Sequence, residues 1–216
     1  MAITSELVKQ LREMTGAGMM DCKKALEEAS GSIDGAVEAL RKKGLKDVAK
    51  RAGKVAAEGT VSMYMHPGDQ IGVMLELNCE TDFVARGDVF KEAARGIALH
   101  IAAMKPQYVS AEEVPQELLK KEEEIYLAQL NDAQKAKADK IIPGKIENFL
   151  AEVVLLKQPY IKDDSGKKSV KDIVDELSIK CGEKVTIRRF IRFEVGEGIE
   201  KAATNFADEV AAMVTN

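Results

Sequence analysis

The sequence predicts an α+β fold in which helices cover one face of a small antiparallel sheet. Apolar residues recur every three or four positions through residues 1–55 and again from 90 to 104, a spacing typical of amphipathic helices. Apolar and polar residues alternate from 61 to 79 and from 185 to 195, as on strands with one buried face. A long charged helical stretch separates the two strand regions, so we expect it to be an insertion into the core.

The first 55 residues are predicted to form three amphipathic helices that share one small core. The apolar stripes are Leu7, Leu11 and Met14 on the first helix, Cys22, Ala25, Leu26 and Ala29 on the second, and Ile33, Val37 and Leu40 on the third. Thr4 is a suitable N-cap, and the glycines of 15–18 separate the first two helices. Gly44 lies where the third helix is expected to end. Residues 41–54, with seven basic residues and one acid, are then expected to form a solvated helix face that acts as a linker.

A β-hairpin is predicted over residues 61–79, followed much later by a third strand over 185–195. The alternating apolar residues are Val61, Met63 and Met65 before the turn at 66–69, Ile71, Val73, Leu75, Leu77 and Cys79 after it, and Val185, Ile187, Ile191, Phe193 and Val195 on the third strand. We expect these residues to form the apolar face of the sheet, with the other face in water. A helix carrying Phe90, Ala94, Ile97, Ile101 and Met104 can cover that apolar face.

Residues 111–159 are predicted to form a charged helical hairpin with coiled-coil-like spacing. Its apolar positions are Leu118, Ile125, Ile142, Ile146, Phe149, Val153 and Leu156. Ser110-x-x-Glu113 has the pattern of a capping box at its start. Breaks are expected at Asn131-Asp132 and at Pro143-Gly144, where proline suits the first turn of the second helix. The apolar stripe of this hairpin needs a partner surface.

These patterns divide the chain into a helical domain at 1–55, a core α+β domain in two parts at 56–110 and 160–216, and the hairpin insert at 111–159. The second core part is expected to end in an amphipathic helix. Its apolar residues are Phe206, Val210, Met213 and Val214.

The composition argues against several functional classes. A net charge of -4 gives no general attraction to nucleic acid or anionic lipid. No apolar run is long enough to span a membrane and the N-terminus has no secretion-signal pattern, so we expect a cytoplasmic protein. Three widely spaced cysteines (Cys22, Cys79, Cys181) suit a reducing compartment and do not predict a zinc site.

No catalytic motif is found in the sequence. It lacks a phosphate-binding loop, a nucleophile elbow and a dinucleotide fingerprint. The only histidines are His66, in the hairpin turn, and His100, at the edge of a helical stripe, so metal or nucleophilic chemistry would need distant partners. We therefore expect no catalytic residue, no metal and no cofactor.

The segment from Asn78 to Arg86 is the most informative one. It begins where the strongest strand ends, and Thr81 and Asp82 are both good helix-starting residues. On residue chemistry alone, the favoured interpretation is a strand-to-helix turn whose Phe83 folds into the core.

Three stretches in order closely resemble bacterial translation elongation factor Ts. They are residues 11–26 (LREMTGAGMMDCKKAL), the turn Thr81-Asp82-Phe83-Val84, and residues 191–201 (IRFEVGEGIEK). They cover both ends and the centre of the chain, whereas the insert matches in character more than in letter. The resemblance implies that the N-terminal helices form a ubiquitin-associated-like bundle and that the hairpin projects from the core.

The resemblance further implies guanine nucleotide exchange on elongation factor Tu. The family's wedge corresponds to Asp82 and Phe83 of this chain, flanked by Thr81 and Val84. By that resemblance, these residues would insert between helices of the GTPase domain near its magnesium. Met19, Met20 and Lys23 match positions where the N-terminal module touches the same domain, and His66 matches a hairpin-tip histidine that approaches the partner. No direct binding of nucleotide is implied for this chain.

Longer members of the family carry two copies of the core sheet unit, whereas this chain has one. Short relatives are expected to dimerise, so we expect a homodimer, with the apolar stripe of the insert as an available surface. Three alternatives remain open: a helical module that binds another protein, an enzyme with an unrecognised site, and an RNA-binding protein that uses residues 41–54.

Overall fold

The computed structural model describes residues 3–199, which form nine α-helices and one three-stranded antiparallel sheet. This confirms the predicted α+β class. The predicted C-terminal helix carrying Phe206, Val210, Met213 and Val214 lies outside the described residues. The division into four segments stays a prediction.

The N-terminal bundle consists of α1 (Ser5–Thr15), α2 (Met19–Glu28) and α3 (Ile33–Arg51). Its buried residues include Leu11, Cys22, Leu26 and Ala36. Thr4 caps α1 by accepting a hydrogen bond from the Leu7 N–H at 3.3 Å, and Gly16 ends this helix with a left-handed φ of 68°.

Met14 is exposed, against the prediction that it belongs to the core stripe. The buried line of α1 runs instead through Val8 and Leu11 toward the half-buried Thr15. The Thr15 hydroxyl donates a hydrogen bond to the Leu11 carbonyl at 2.7 Å and lies 4.0 Å from Cys22 Sγ. This polar contact directs the face through Thr15 toward α2, so Met14 lies beside it.

Gly44 lies inside α3 and does not end it, so the predicted cap there is wrong. A Cβ atom at this position would lie 2.8 Å from Cγ1 of Ile179 on α9 (Val170–Cys181). The glycine is therefore needed for close helix packing. Because α3 continues through the basic stretch, the bundle contacts the core through the packing of α3 against α9.

The sheet contains β1 (Glu58–Met65), β2 (Ile71–Cys79) and β3 (Thr186–Glu194) in the order β1-β2-β3. The inner face of β2 carries the predicted series from Ile71 to Cys79, and α5 (Asp88–Met104) packs across it. The core buries Leu75, Leu77, Phe90, Ile97, Ile101, Val174 and Ile187, among other residues.

The other apolar residues of β1 and the end of β3 face outward, which corrects the sequence prediction. Met63 pairs with Met74, which pairs with Ile191, and all three side chains are exposed. The remaining outward apolar residues are Val61, Met65, Phe193 and Val195. A register shift opposite Glu76 and Leu77 adds one residue to β3 after Ile187, so the face on which odd-numbered residues lie changes there.

The insert begins with a 3₁₀ turn at Ala111–Glu113 and continues as α6 (Gln116–Gln129), α7 (Asp132–Lys135) and α8 (Ala138–Val153). Ser110 makes no capping hydrogen bond, so the predicted capping box is wrong. The Glu113 carboxylate instead accepts a hydrogen bond from the Val109 N–H at 3.0 Å.

The break predicted at Asn131-Asp132 is present, because Asn131 caps α7. Pro143 lies inside α8 and not in its first turn, which corrects the second predicted break. A proline removes the hydrogen bond to the carbonyl four residues earlier. Here that residue is the exposed Asp139, whose carbonyl can bond to water.

A buried polar contact connects the insert to the core. His100 on α5 is fully buried, its Nε2 lies 3.0 Å from Oε1 of Gln158, and its Nδ1 accepts a hydrogen bond from the Ile161 N–H at 3.2 Å. The Gln158 amide donates to the carbonyls of Glu152 and Met104. Because Nδ1 accepts and Nε2 donates, the imidazole must be neutral.

Acid should therefore weaken the fold through His100. Burial lowers the pKa of His100 below its ordinary value of 6.5, so the unfolded chain binds the proton more readily than the folded one. We expect the free energy of unfolding to be highest above about pH 6.5 and to fall as the pH drops from there toward the folded-state pKa. Urea unfolding of the wild type and of His100→Gln at several pH values between 5 and 8 measures this. An equal pH dependence in the two proteins would contradict it.

Candidate protein-interaction site

The turn that follows β2 is built by a cap. β2 ends at Cys79, and Thr81 has extended backbone and caps α4 (Asp82–Arg86) by accepting a hydrogen bond from the Val84 N–H at 3.4 Å. Ala85 is buried and Val84 packs against the core from the same turn of helix. The inward side of α4 is therefore fixed by packing.

Phe83 points the opposite way. Its side chain is 83% exposed, which corrects the core position favoured by residue chemistry alone. The capped helix directs Val84 and Ala85 to the core, and three successive helical residues cannot all face the same side. Asp82 lies beside Phe83 and forms an exposed 2.9 Å ion pair with Arg86. The turn thus presents an aromatic ring and a carboxylate to the outside.

All three polar groups of Thr81 have partners. Its N–H and its hydroxyl donate to the carboxylate of Glu183, at 3.0 and 2.6 Å, and its carbonyl accepts from Cys79 Sγ at 3.1 Å. The Glu80 N–H also donates to Glu183, at 3.0 Å. No sequence pattern points to Glu183, because it lies 102 residues after Thr81 and follows a glycine helix cap.

Met19, Met20 and Lys23 lie at the start of α2 in the N-terminal bundle. Both methionine side chains are exposed, and Lys23 makes an exposed contact of 4.0 Å with Glu27. These residues form a second surface patch on a different element from Thr81, Asp82, Phe83 and Val84.

His66 lies at the tip of the β1-β2 hairpin, with its Nδ1 3.1 Å from the Tyr64 hydroxyl. β2 runs nine residues from this tip to the Thr81 turn. At about 3.3 Å per residue, His66 and Phe83 lie at opposite ends of a strand roughly 30 Å long. One surface patch of one chain cannot contain both side chains.

The thiol nearest the turn, that of Cys79, is not activated as a nucleophile. Burial and the nearby Glu183 carboxylate raise the pKa of Cys79 to about 11, so its thiol is protonated at neutral pH. All three cysteines are free thiols. Across residues 3–199, no group of three or more His, Cys, Asp or Glu side chains is arranged to hold a metal ion. None of the helices in that range is both long and apolar enough to cross a membrane.

The described fold is a small α+β core that fixes an exposed phenylalanine on a capped turn, an arrangement suited to contact with another protein. Comparison with known proteins identifies the family. A family model described as Elongation factor TS matches residues 3–197. The chain belongs to the elongation factor Ts family, and it is therefore a factor of translation elongation.

Curated relatives match over nearly the full chain. An elongation factor Ts from Carboxydothermus hydrogenoformans is 55% identical over 212 residues, covering 97% of each chain. One from Desulforamulus reducens is 52% identical over 214 residues, covering 98% of each chain. One from Prochlorococcus marinus (strain MIT 9301) is 50% identical over 217 residues, covering 99% of each chain.

Proposed function

We propose that this protein is a guanine nucleotide exchange factor for elongation factor Tu and that it acts by inserting Asp82 and Phe83 beside the GTPase magnesium site. Family membership supports the activity and the partner. The observation that supports the mechanism is the 83% exposure of Phe83 on a turn that is otherwise fixed by Thr81 and Glu183. Aromatic side chains, phenylalanine included, are enriched at protein interfaces and often anchor them.

The proposed mechanism requires no reactive residue of this chain. A GTPase holds GDP through phosphate contacts and through a magnesium ion that demands near-octahedral geometry. A ring pushed between the helices that hold these ligands displaces the helices. Even a small displacement strongly weakens the binding of the nucleotide. Asp82 adds a negative charge close to the same site, where it competes with the phosphates for cationic groups.

Release of the factor follows from the same coupling. If the factor weakens nucleotide binding, nucleotide must weaken binding of the factor by the same ratio. Rebinding of GDP or GTP therefore expels Phe83, and one molecule of factor serves many GTPases. We place Met19, Met20, Lys23 and His66 as further contacts with the partner. They adjust affinity, whereas Phe83 moves the magnesium ligands.

The Phe83→Ala variant tests this function. Because the side chain is exposed, its removal should change the free energy of unfolding by less than about 0.5 kcal/mol. Loss of an interface anchor commonly costs about 2 kcal/mol, so exchange should slow on the order of tenfold. Stopped-flow release of fluorescent GDP from elongation factor Tu measures the rate, and Asp82→Ala should give a smaller reduction.

Ile161→Ala is the matched control, since Ile161 is an exposed apolar residue in the loop before α9. It should leave the release rate unchanged. If Phe83→Ala exchanges as fast as the wild type, the insertion mechanism is wrong. If the wild type itself does not accelerate GDP release, the chain is better explained as a helical interaction module for another partner.

We also propose that the protein is a homodimer that closes through the outer face of its sheet. Seven large apolar side chains are exposed there, including Met63 at 72% and Phe193 at 66%. Their rows are continuous across the three strands, from Met63 through Met74 to Ile191. A second copy brings the same apolar face, and two such sheets can pack as a sandwich. The sheet, and not the helical insert, thus offers the larger apolar surface.

Light scattering after gel filtration at micromolar concentration should give twice the chain mass for the wild type. Ile191→Lys places a charge in the middle row of the sheet and should give a monomer. Val55→Lys changes an exposed apolar residue outside the sheet and should leave the dimer intact. A monomeric wild type, or a dimer that survives Ile191→Lys, would rule out this interface.

A further inference from the structure

Two short segments, 80–81 and 183–184, hold each other by reciprocal bonds. The Glu183 carboxylate accepts from the N–H groups of Glu80 and Thr81, both at 3.0 Å, and from the Thr81 hydroxyl. In return, the Glu80 carboxylate accepts from the Lys184 N–H at 2.7 Å. Each segment therefore supplies both the carboxylate and the amides of this contact, which we call the carboxylate clamp. Such bonds to charged acceptors are about twice as strong as neutral ones.

The clamp also reaches the chain that leaves the N-terminal bundle. The Lys184 ammonium donates to the carbonyls of Ala52 and Lys54, at 2.7 and 2.9 Å. The Lys54 ammonium pairs with Glu80 at 2.8 Å. The Lys54 ammonium and the Lys184 N–H together lower the pKa of Glu80, which keeps this carboxylate charged. The end of α3, the Phe83 turn and the start of β3 thus meet at one point.

We propose that Glu183 is a positioning residue for nucleotide exchange: it fixes the direction in which Phe83 leaves the core. This inference rests on the proposed function. Phe83 is two residues from Thr81, and Thr81 is the N-cap that sets the start of α4. Because Glu183 holds the Thr81 backbone and hydroxyl together, the clamp determines where α4 begins. Glu183 acts through Thr81 and need not touch the partner.

The position of Phe83 matters because its proposed role is to displace the magnesium ligands of the GTPase. An anchor that can pivot still buries its ring in the partner, so it retains much of its binding energy. It cannot, however, push the magnesium ligands, since its own turn moves instead. Loss of the clamp should therefore lower the maximal release rate more than the affinity. Misplacement by about 1 Å can cost on the order of 100-fold in a step that depends on geometry.

The test is Glu183→Ala in stopped-flow GDP release from elongation factor Tu, with the factor varied to saturation. We expect the maximal release rate to fall about tenfold or more. We expect the dissociation constant for the nucleotide-free GTPase to change less than about threefold. Glu183→Gln should recover most of the rate, because one amide oxygen can still accept from both N–H groups, which share Oε2 in the wild type.

Asp163→Ala is the matched control. The Asp163 carboxylate also accepts two backbone N–H bonds and one hydroxyl bond, from Lys167, Lys168 and Ser165. It lies before α9, whereas Glu183 lies after it, so the two carboxylates are separated by a helix about 18 Å long. Both variants lose comparable hydrogen bonds, but only Glu183→Ala should slow the release of GDP.

Two further measurements separate positioning from general loss of structure. In a Phe83→Ala background, Glu183→Ala should add almost no further reduction, because the ring it positions is gone. Hydrogen exchange of residues 80–86 should accelerate in Glu183→Ala and remain unchanged in Asp163→Ala. If Glu183→Ala does not fold, Glu183→Asp replaces it in the rate measurement, since its shorter side chain draws the turn inward and misplaces Phe83.

The inference is wrong if Phe83→Ala slows release while Glu183→Ala does not, or if the two effects are additive. If Phe83→Ala has no effect, the proposed function fails first, and this positioning role fails with it. Accelerated hydrogen exchange at 80–86 would in that case still establish the clamp as a structural element of the turn.

Discussion

The pairing of β1 with β2 is the constraint on which the rest of the structure depends. Every residue of β1 pairs with a residue of opposite parity on β2, as Met63 does with Met74. When the odd-numbered residues of β2 face α5, those of β1 must face the other way. The pairing thus buries Leu75 and Leu77 and exposes Val61 and Met63. One register produces both the core and the apolar outer face.

The same register sets the two ends of the hairpin apart. His66 occupies the turn, and the Phe83 turn follows the far end of β2. The far end is also where the chain from the bundle arrives and where β3 begins, so charged side chains from three segments gather there. Glu80, Glu183 and Lys184 satisfy one another and leave Phe83 outside this network. Order in the turn and exposure of its ring are therefore products of the same contacts.

The sequence predicted the positions of the helices and strands more accurately than which face of each strand is buried. The periods of two and 3.6 located the strands, the bundle and α5, because each of these elements has one strongly apolar side. The outward face of β1 could have been predicted, since a four-residue turn pairs odd positions with even ones. The change of face on β3 could not, because the bulge after Ile187 depends on where Glu76 lies on the neighbouring strand. Gly44 was wrongly predicted to end a helix for a similar reason. The residue whose packing requires a glycine there, Ile179, lies 135 positions later in the chain.

The candidate site shows why local chemistry alone misplaces Phe83. A phenylalanine beside a good N-cap is favoured in the core, and Phe83 is exposed at a cost in hydration that the fold does not recover. The surroundings nevertheless fix the conformation of this turn. Here Ala85 packs inward, Thr81 caps the helix and Glu183 holds Thr81, so the turn stays rigid without the ring. When the turn is rigid, the free energy of binding can displace groups of the partner. When the turn is flexible, part of that free energy is lost in ordering the turn itself.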